Sequence, residues 1–341
     1  MDPLFPLYWR CLGLPISRAK GAVVDWVPFS LVECVVWAGL ACSLAIIYAW
    51  VSGWWPRLKA RPPLLWALTA GPAILILLTV NQGAFPWSLA PSAWRLPLAK
   101  TFPAGPLAER EFRDEVRLRE NRLLANFSPA YYQSLSEGEV LHGCDLALDR
   151  VLEDLGLPKG RAVRRIKAMG PLTTLLGLSY GGPAFHDPFL GELAMVKQRD
   201  LPSPRYWRLL GVCHETAHAK GFTREMDAEI LTQLALSLSP DPRYRLLGDI
   251  MYLRKTGEKV HYPEFIKQEI LFSRERRKEA ERRQWGVRFC RKLAERMGFQ
   301  NSGGKYGTRE SFEAWNPSHP FFSTVAHLLA RLPRTPVVHE P

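Results

Sequence analysis

Cysteine is scarce in this chain, six in 341 residues. Cys34 and Cys42 fall at or in an apolar run, Cys213 abuts a histidine, and Cys11, Cys144 and Cys290 have no framework spacing, so cysteine usage leaves the compartment open. Cys213 reads as a small buried hydrophobe, since its direction from a helix differs by about 100° from that of its neighbour His214. Internal repeats and long low-complexity runs are absent, which excludes solenoids and arrays. A net charge of +12 comes without a nucleic-acid fold signature, so nucleic acid is not an expected partner. A cleavable signal peptide is also lacking: the first apolar span begins about thirty residues in, with no small-x-small site before a mature start.

Charge is missing altogether from two stretches, Val35 to Trp55 and Pro62 to Trp94. Each is long enough to cross about 30 Å of hydrocarbon as a helix, and both are read as transmembrane helices that stay attached, with the lipid bilayer as a partner. Trp54, Trp55, Trp66 and Trp87 near their ends fit interfacial belts. The connector "PRLKARPP" holds Arg57, Lys59 and Arg61, the densest basic patch beside either span, and is expected on the cytoplasmic side. The N-terminal tail and everything after about residue 90 then face outward. The expected organisation is a tail over 1–30, a two-helix membrane region over 31–87, a juxtamembrane linker over 88–108 and a mainly helical domain with a small β element over 109–335.

The stretch "GVCHETAHAKGFTREMDAEI", residues 211–230, carries chemistry. His214 and His218 are four apart, so on a helix they share a face with side chains about 5 to 6 Å apart, close enough to grip one ion. Glu215 holds the position from which, in H-E-x-x-H, a carboxylate reaches a metal-bound water and acts as its general base. Catalytic zinc normally takes three protein ligands and a water, so a third ligand must come from nearby chain. Gly221 suits a helix end. Behind it "TREMDAEILTQLALSL" reads as a second helix, with Thr223 as candidate N-cap and Met226, Ile230, Leu231, Leu234 and Leu236 for its buried side. Glu225 in its first turn is the preferred third ligand and Asp227 the reserve; Glu229 is placed to orient a ligand histidine. Ser203 as N-cap and Pro204 at N1 open the first helix. Zn2+ is the expected cofactor.

Elsewhere, "REFRDEVRLRENRLLANF" and "EGEVLHGCDLALDRVLEDLGL" show helical periodicity. "GPLTTLLGLSYGGPAFHDPFLGELAMV" looks like strand and loop, the candidate for an edge strand that holds an extended peptide; its His186 reads as structural or substrate-facing. Residues 274–298 form a basic helix with Trp285, Phe289, Leu293 and Met297 every fourth residue, a solvated face or a contact for anionic lipid headgroups. Tyr262, Tyr180 and His261 are unranked candidates for a transition-state donor.

"GLSYGGPAFHDPFLGELAMV" followed by "HETAHAKGFTREMDAE" resembles a family of bacterial membrane proteins of unknown function, numbered 3810. Its members read G-I-S-G-x-x-x-P-F-x-G-E-A-N-V and then H-E-x-A-H-x-x-G-F-x-R-E-x-E-A-N. "DWVPFSLVE" is similar to its W-x-P-F-S-x-G-E segment and "NSGGKYGTRESF" to its late glycine-rich region. The resemblance implies a zincin-like domain, gluzincin-type in its E-x-x-A-E run from Glu225 to Glu229. It places the domain outside the bacterial inner membrane and makes His214, His218 and Glu225 ligands and Glu215 the base. Asp227 stands where the family has glutamate, and Glu229 where it has asparagine. The expected reaction is zinc-dependent hydrolysis of a peptide bond in a peptide or protein substrate. The alternatives are a non-catalytic membrane-anchored interaction or regulatory protein with a structural or absent metal, or a cell-wall peptide amidase.

Overall fold

The computed structural model describes residues 14–27, 30–54, 98–171, 174, 184–187, 191–198, 203–222, 224–256, 260–283, 292 and 320–332. Among these the chain is mainly helical with one small sheet. The tail expected over 1–30 contains a helix, α1 (Leu14–Trp26), which lies against the sheet of the domain.

Helix α2 (Leu31–Val51) starts cleanly because the Ser30 hydroxyl accepts the N–H of Glu33 at 3.1 Å, satisfying one of the donors a helix start leaves open. Over Glu33–Val51 its mean hydropathy is 2.1, yet only 6% of that window is buried within the protein. Leu44, Ile47, Trp50 and Val51 are exposed. A core helix would hide these side chains, whereas a lipid-facing one presents them. Among the described residues α2 is the one helix long and apolar enough to cross a membrane; the second expected span, within 62–94, lies outside them.

The domain begins with a short turn, α3 (Leu98–Thr101), followed by α4 (Glu109–Asn126), α5 (Pro129–Ser134) and α6 (Glu137–Asp154). A reciprocal Ser136–Glu139 capping box starts α6. Three short strands follow, β1 (Lys167–Ala168), β2 (Ala184–Asp187) and β3 (Glu192–Met195), in the order β1-β3-β2. β1 runs parallel to β3, and β2 runs antiparallel to it with His186 opposite Leu193. The strand-and-loop segment thus supplies β2 and β3, and among the described residues β2 lies at an edge of the sheet.

Helices α7 (Arg205–Ala219), α8 (Glu225–Ser237), α9 (Pro242–Lys255), α10 (Glu264–Arg283) and α11 (Pro320–Arg331) complete the domain. α8 is its centre, lying against α6, α7, α9 and α11. The sequence pattern suggests one buried side, but Thr232 and Gln233 are buried as fully as Ile230, Leu231 and Leu234. Gln233 Nε2 donates to the Gly248 carbonyl at 3.0 Å and to Ser237 Oγ at 2.9 Å, while its Oε1 is buried without a partner among the described residues. Each buried leucine contributes on the order of 2 kcal/mol. α7 runs between α8 and the sheet, touching β2 and β3, so the histidine-bearing helix has the core on one flank and the edge strand on the other. The expected basic helix is described to Arg283; its stripe residues Trp285, Phe289, Leu293 and Met297 lie outside the described residues.

Candidate metal centre

α7 opens one residue later than its sequence suggests. Pro204 is the N-cap and Arg205 the first helical residue, and the open Arg205 N–H is met by Glu269 of α10 at 2.7 Å. A cap from a distant helix leaves no local signature. At the other end Gly221 has φ 101°, a conformation a Cβ would disfavour. It closes a Schellman turn, in which Gly221 N–H bonds the His218 carbonyl at 2.8 Å and Phe222 N–H bonds that of Ala217 at 3.4 Å. Arg224 is the N-cap of α8; the expected cap, Thr223, lies outside the described residues.

That turn decides the site. It folds the Phe222 carbonyl back onto His218, whose Nδ1–H donates to it at 2.6 Å. Nδ1 is thereby fixed as a donor, and Nε2, which faces His214 and Glu225, is the nitrogen that can bind a ligand once it gives up its proton. It also brings Glu225, first in α8, onto the imidazole pair: Oε2 is 3.0 Å from His214 Nε2, Oε1 is 3.5 Å from His218 Nε2, and the two Nε2 atoms are 3.1 Å apart. One donor atom from each of the three residues lies within 4.8 Å of the others. Bonds of about 2.1 Å at a tetrahedral angle would set zinc ligands about 3.4 Å apart, so the cluster is the right size and has the right donor set.

Asp227 is turned elsewhere. Residues two apart on a helix point to nearly opposite sides, and Asp227 accepts the Leu98 N–H at 3.1 Å. Glu229 does not orient a ligand histidine either, because it faces α9 and forms an ion pair with Lys255; the Phe222 carbonyl has that role for His218.

Glu215 is buried, and its carboxylate takes the backbone N–H of His186 from β2. Burial raises its pKa, opposed by His218, His214 and that N–H. At His218 burial disfavours the charged ring, but Glu225 and Glu215 outweigh it and push the pKa up to about 9. Desolvation acts to raise Glu225, and the two imidazoles hold it well below the ordinary carboxylate value. Two carboxylates around two imidazoles therefore favour positive charge at the centre.

His186 is buried on the edge strand, with its backbone at Glu215. His261 is exposed and bonds Glu120 at 2.9 Å. Tyr262 is partly buried, with Arg254, Tyr206 and Glu120 as its charged and polar surroundings, and Tyr180 lies outside the described residues.

Sequence reading missed the bond between Cys144 of α6 and Cys213 of α7. Both cysteines are buried, so Cys213 is indeed interior, but it is a crosslink and not a free thiol. Lys220, wholly buried, makes a second tie to α6 through Asp145 at 2.7 Å and Asp149 at 2.8 Å. The histidine helix is thus fixed at its middle and at its end.

Fold and site together define a mainly helical domain, with an apolar N-terminal helix and a His-His-Glu cluster on two consecutive helices. The chain belongs to the family described as Protein of unknown function (DUF3810), whose model matches residues 8–273. No curated protein and no solved structure matches it.

Proposed function

We propose that the protein is a membrane-anchored zinc metallopeptidase with His214, His218 and Glu225 as ligands and Glu215 as general base. The observation that carries this reading is the convergence of the three donors within 4.8 Å, at a turn that also fixes His218 Nδ1 as a donor. When bound, zinc supplies Lewis acidity toward a carbonyl oxygen and acidifies a water. Glu215, one residue along from a ligand and with its pKa raised, would serve as general base toward the attacking water and would pass the proton to the leaving amine. The same carboxylate already bonds the backbone of β2, so an extended peptide laid along this edge strand sits beside the base.

The Cys144–Cys213 bond favours an oxidising compartment for the domain, in keeping with an extracytoplasmic position. A second pass of the chain through the bilayer, within 62–94, accompanies that placement.

Metal analysis of the purified protein beside His218→Ala tests the site: about one zinc per chain is expected in the wild type and a loss in the variant. Glu215→Gln should keep the metal and abolish peptide cleavage. Wild-type protein without zinc, or His218→Ala with a full complement, would overturn the proposal.

A further inference from the structure

We infer that a basic cleft at the foot of α2 binds the headgroup of an anionic phospholipid. The inference rests on reading α2 as a membrane span and involves no metal. The cleft measures about 980 Å³ and lies between α6 and the β1–β3 side of the sheet, with none of the His-His-Glu cluster or Glu215 in its lining.

Its position relative to the bilayer follows from contacts. Residues 161–168 run past the start of the apolar helix: Asp25 of α1 faces Arg161 at 3.9 Å and takes the Arg164 backbone N–H. Lys167 bonds Glu192 Oε2 at 3.4 Å, and the same oxygen accepts the N–H of Leu31, the first residue of α2, at 2.7 Å. Lys167, Arg164 and Arg165 all line the cleft. The cleft therefore sits at the level where α2 leaves the hydrocarbon, within reach of headgroups.

Its charge is unbalanced. The acids in its walls are already engaged, Glu137 by Arg208 at 2.7 Å and Asp145 and Asp149 by Lys220. Arg164, Arg165 and Lys197 are exposed in its lining, and among the described residues none of the three forms an ion pair with a carboxylate; Arg164 also acts on Asp25 through its charge. Three exposed cations outside any ion pair, at an interface, attract anionic headgroups. Leu146, which is 56% exposed, and Ile166 add apolar surface beside them, as a glycerol backbone and the first acyl carbons require.

The test is native mass spectrometry of the full-length protein, released from detergent doped with dioctanoyl phosphatidylglycerol, dioctanoyl phosphatidylcholine or inorganic phosphate. Saturable phosphatidylglycerol adducts are expected, with occupancy about tenfold lower in an Arg164→Glu, Arg165→Glu, Lys197→Glu variant. Phosphatidylcholine should bind no better to the wild type than to the variant. Unchanged phosphatidylglycerol occupancy in the variant, equal binding of phosphatidylcholine, or displacement of the lipid by equimolar phosphate would overturn the inference, the last by making the cleft a site for free anions. If the charge-reversed variant fails to fold, the corresponding triple glutamine variant gives the same reading. Metal content should be unaffected in either, which separates this result from the zinc test.

Discussion

The backbone N–H of Leu31 donates to Glu192 Oε2 at 2.7 Å, so the first residue of the apolar helix is held by the strand adjoining the one that reaches Glu215. Glu192 also carries the Lys167 ammonium, and both side chains are at most 1% exposed. Replacing Glu192 by alanine strands a buried cation, which costs about 3–5 kcal/mol. Glu192→Gln keeps an acceptor for Leu31 and should lie between alanine and wild type. Thermal unfolding of the detergent-solubilised protein checks the order; identical midpoints for all three would show that the tie contributes nothing.

The same contact bears on the proposed topology. Residues before the apolar region touch residues after it, as Asp25 with Arg161 and Leu31 with Glu192. In the proposed topology, with a second span within 62–94, both partners of each contact lie on one side of the bilayer. In a variant stripped of its free thiols, single cysteines at Arg18 and Arg117, both exposed, should react alike with a membrane-impermeant maleimide added to spheroplasts. A cysteine at Lys59 in the basic connector should stay protected until the membrane is opened. Labelling of the Arg18 and Arg117 positions from different sides would refute two crossings.

Cys144 and Cys213 close a loop of sequence separation 69 between α6 and α7. Restricting the unfolded chain over that length is worth about 4 kcal/mol. A Cys144→Ser, Cys213→Ser variant should unfold at lower temperature and carry less metal, because α7 then keeps only ion pairs to α6, Lys220 with Asp145 and Asp149 and Arg208 with Glu137. The wild type should gain two reactive thiols on reduction under denaturing conditions; thiols reactive without reductant would show that the bond is absent.

What could be read in the sequence was local. His214 and His218 share a helix face by spacing alone, and Gly221 ends that helix because no other residue adopts φ 101° so cheaply. The periodicity of 109–126 and 137–154 is likewise visible, and both segments are helices. What could not be read depends on elements distant in sequence. Glu269 caps α7 from α10, Cys144 finds Cys213 across two helices, and Glu192 meets Leu31 over 161 residues. The resemblance placed "DWVPFSLVE" and "FLGELAMV" in one family pattern without linking them; in the structure they touch through Leu31 and Glu192. α1 falls in the stretch whose sequence reads as tail, and its place against β3 depends on residues far along the chain.

Glu225 and Asp227 are two residues apart, and geometry separates their roles. Glu225 lies 3.0 Å from His214 Nε2, whereas Asp227 serves the Leu98 N–H at 3.1 Å. Glu225→Ala should therefore lower zinc affinity by at least about a hundredfold, since two imidazoles alone make an incomplete site. Asp227→Ala should leave zinc bound while the unpaired Leu98 N–H costs about 1–3 kcal/mol of stability. Zinc competition with a chromophoric chelator reads the first quantity and thermal unfolding of the metal-free protein the second. The reverse pattern, with metal lost in Asp227→Ala and kept in Glu225→Ala, would transfer the third ligand to Asp227 and require α8 to turn by about half a revolution.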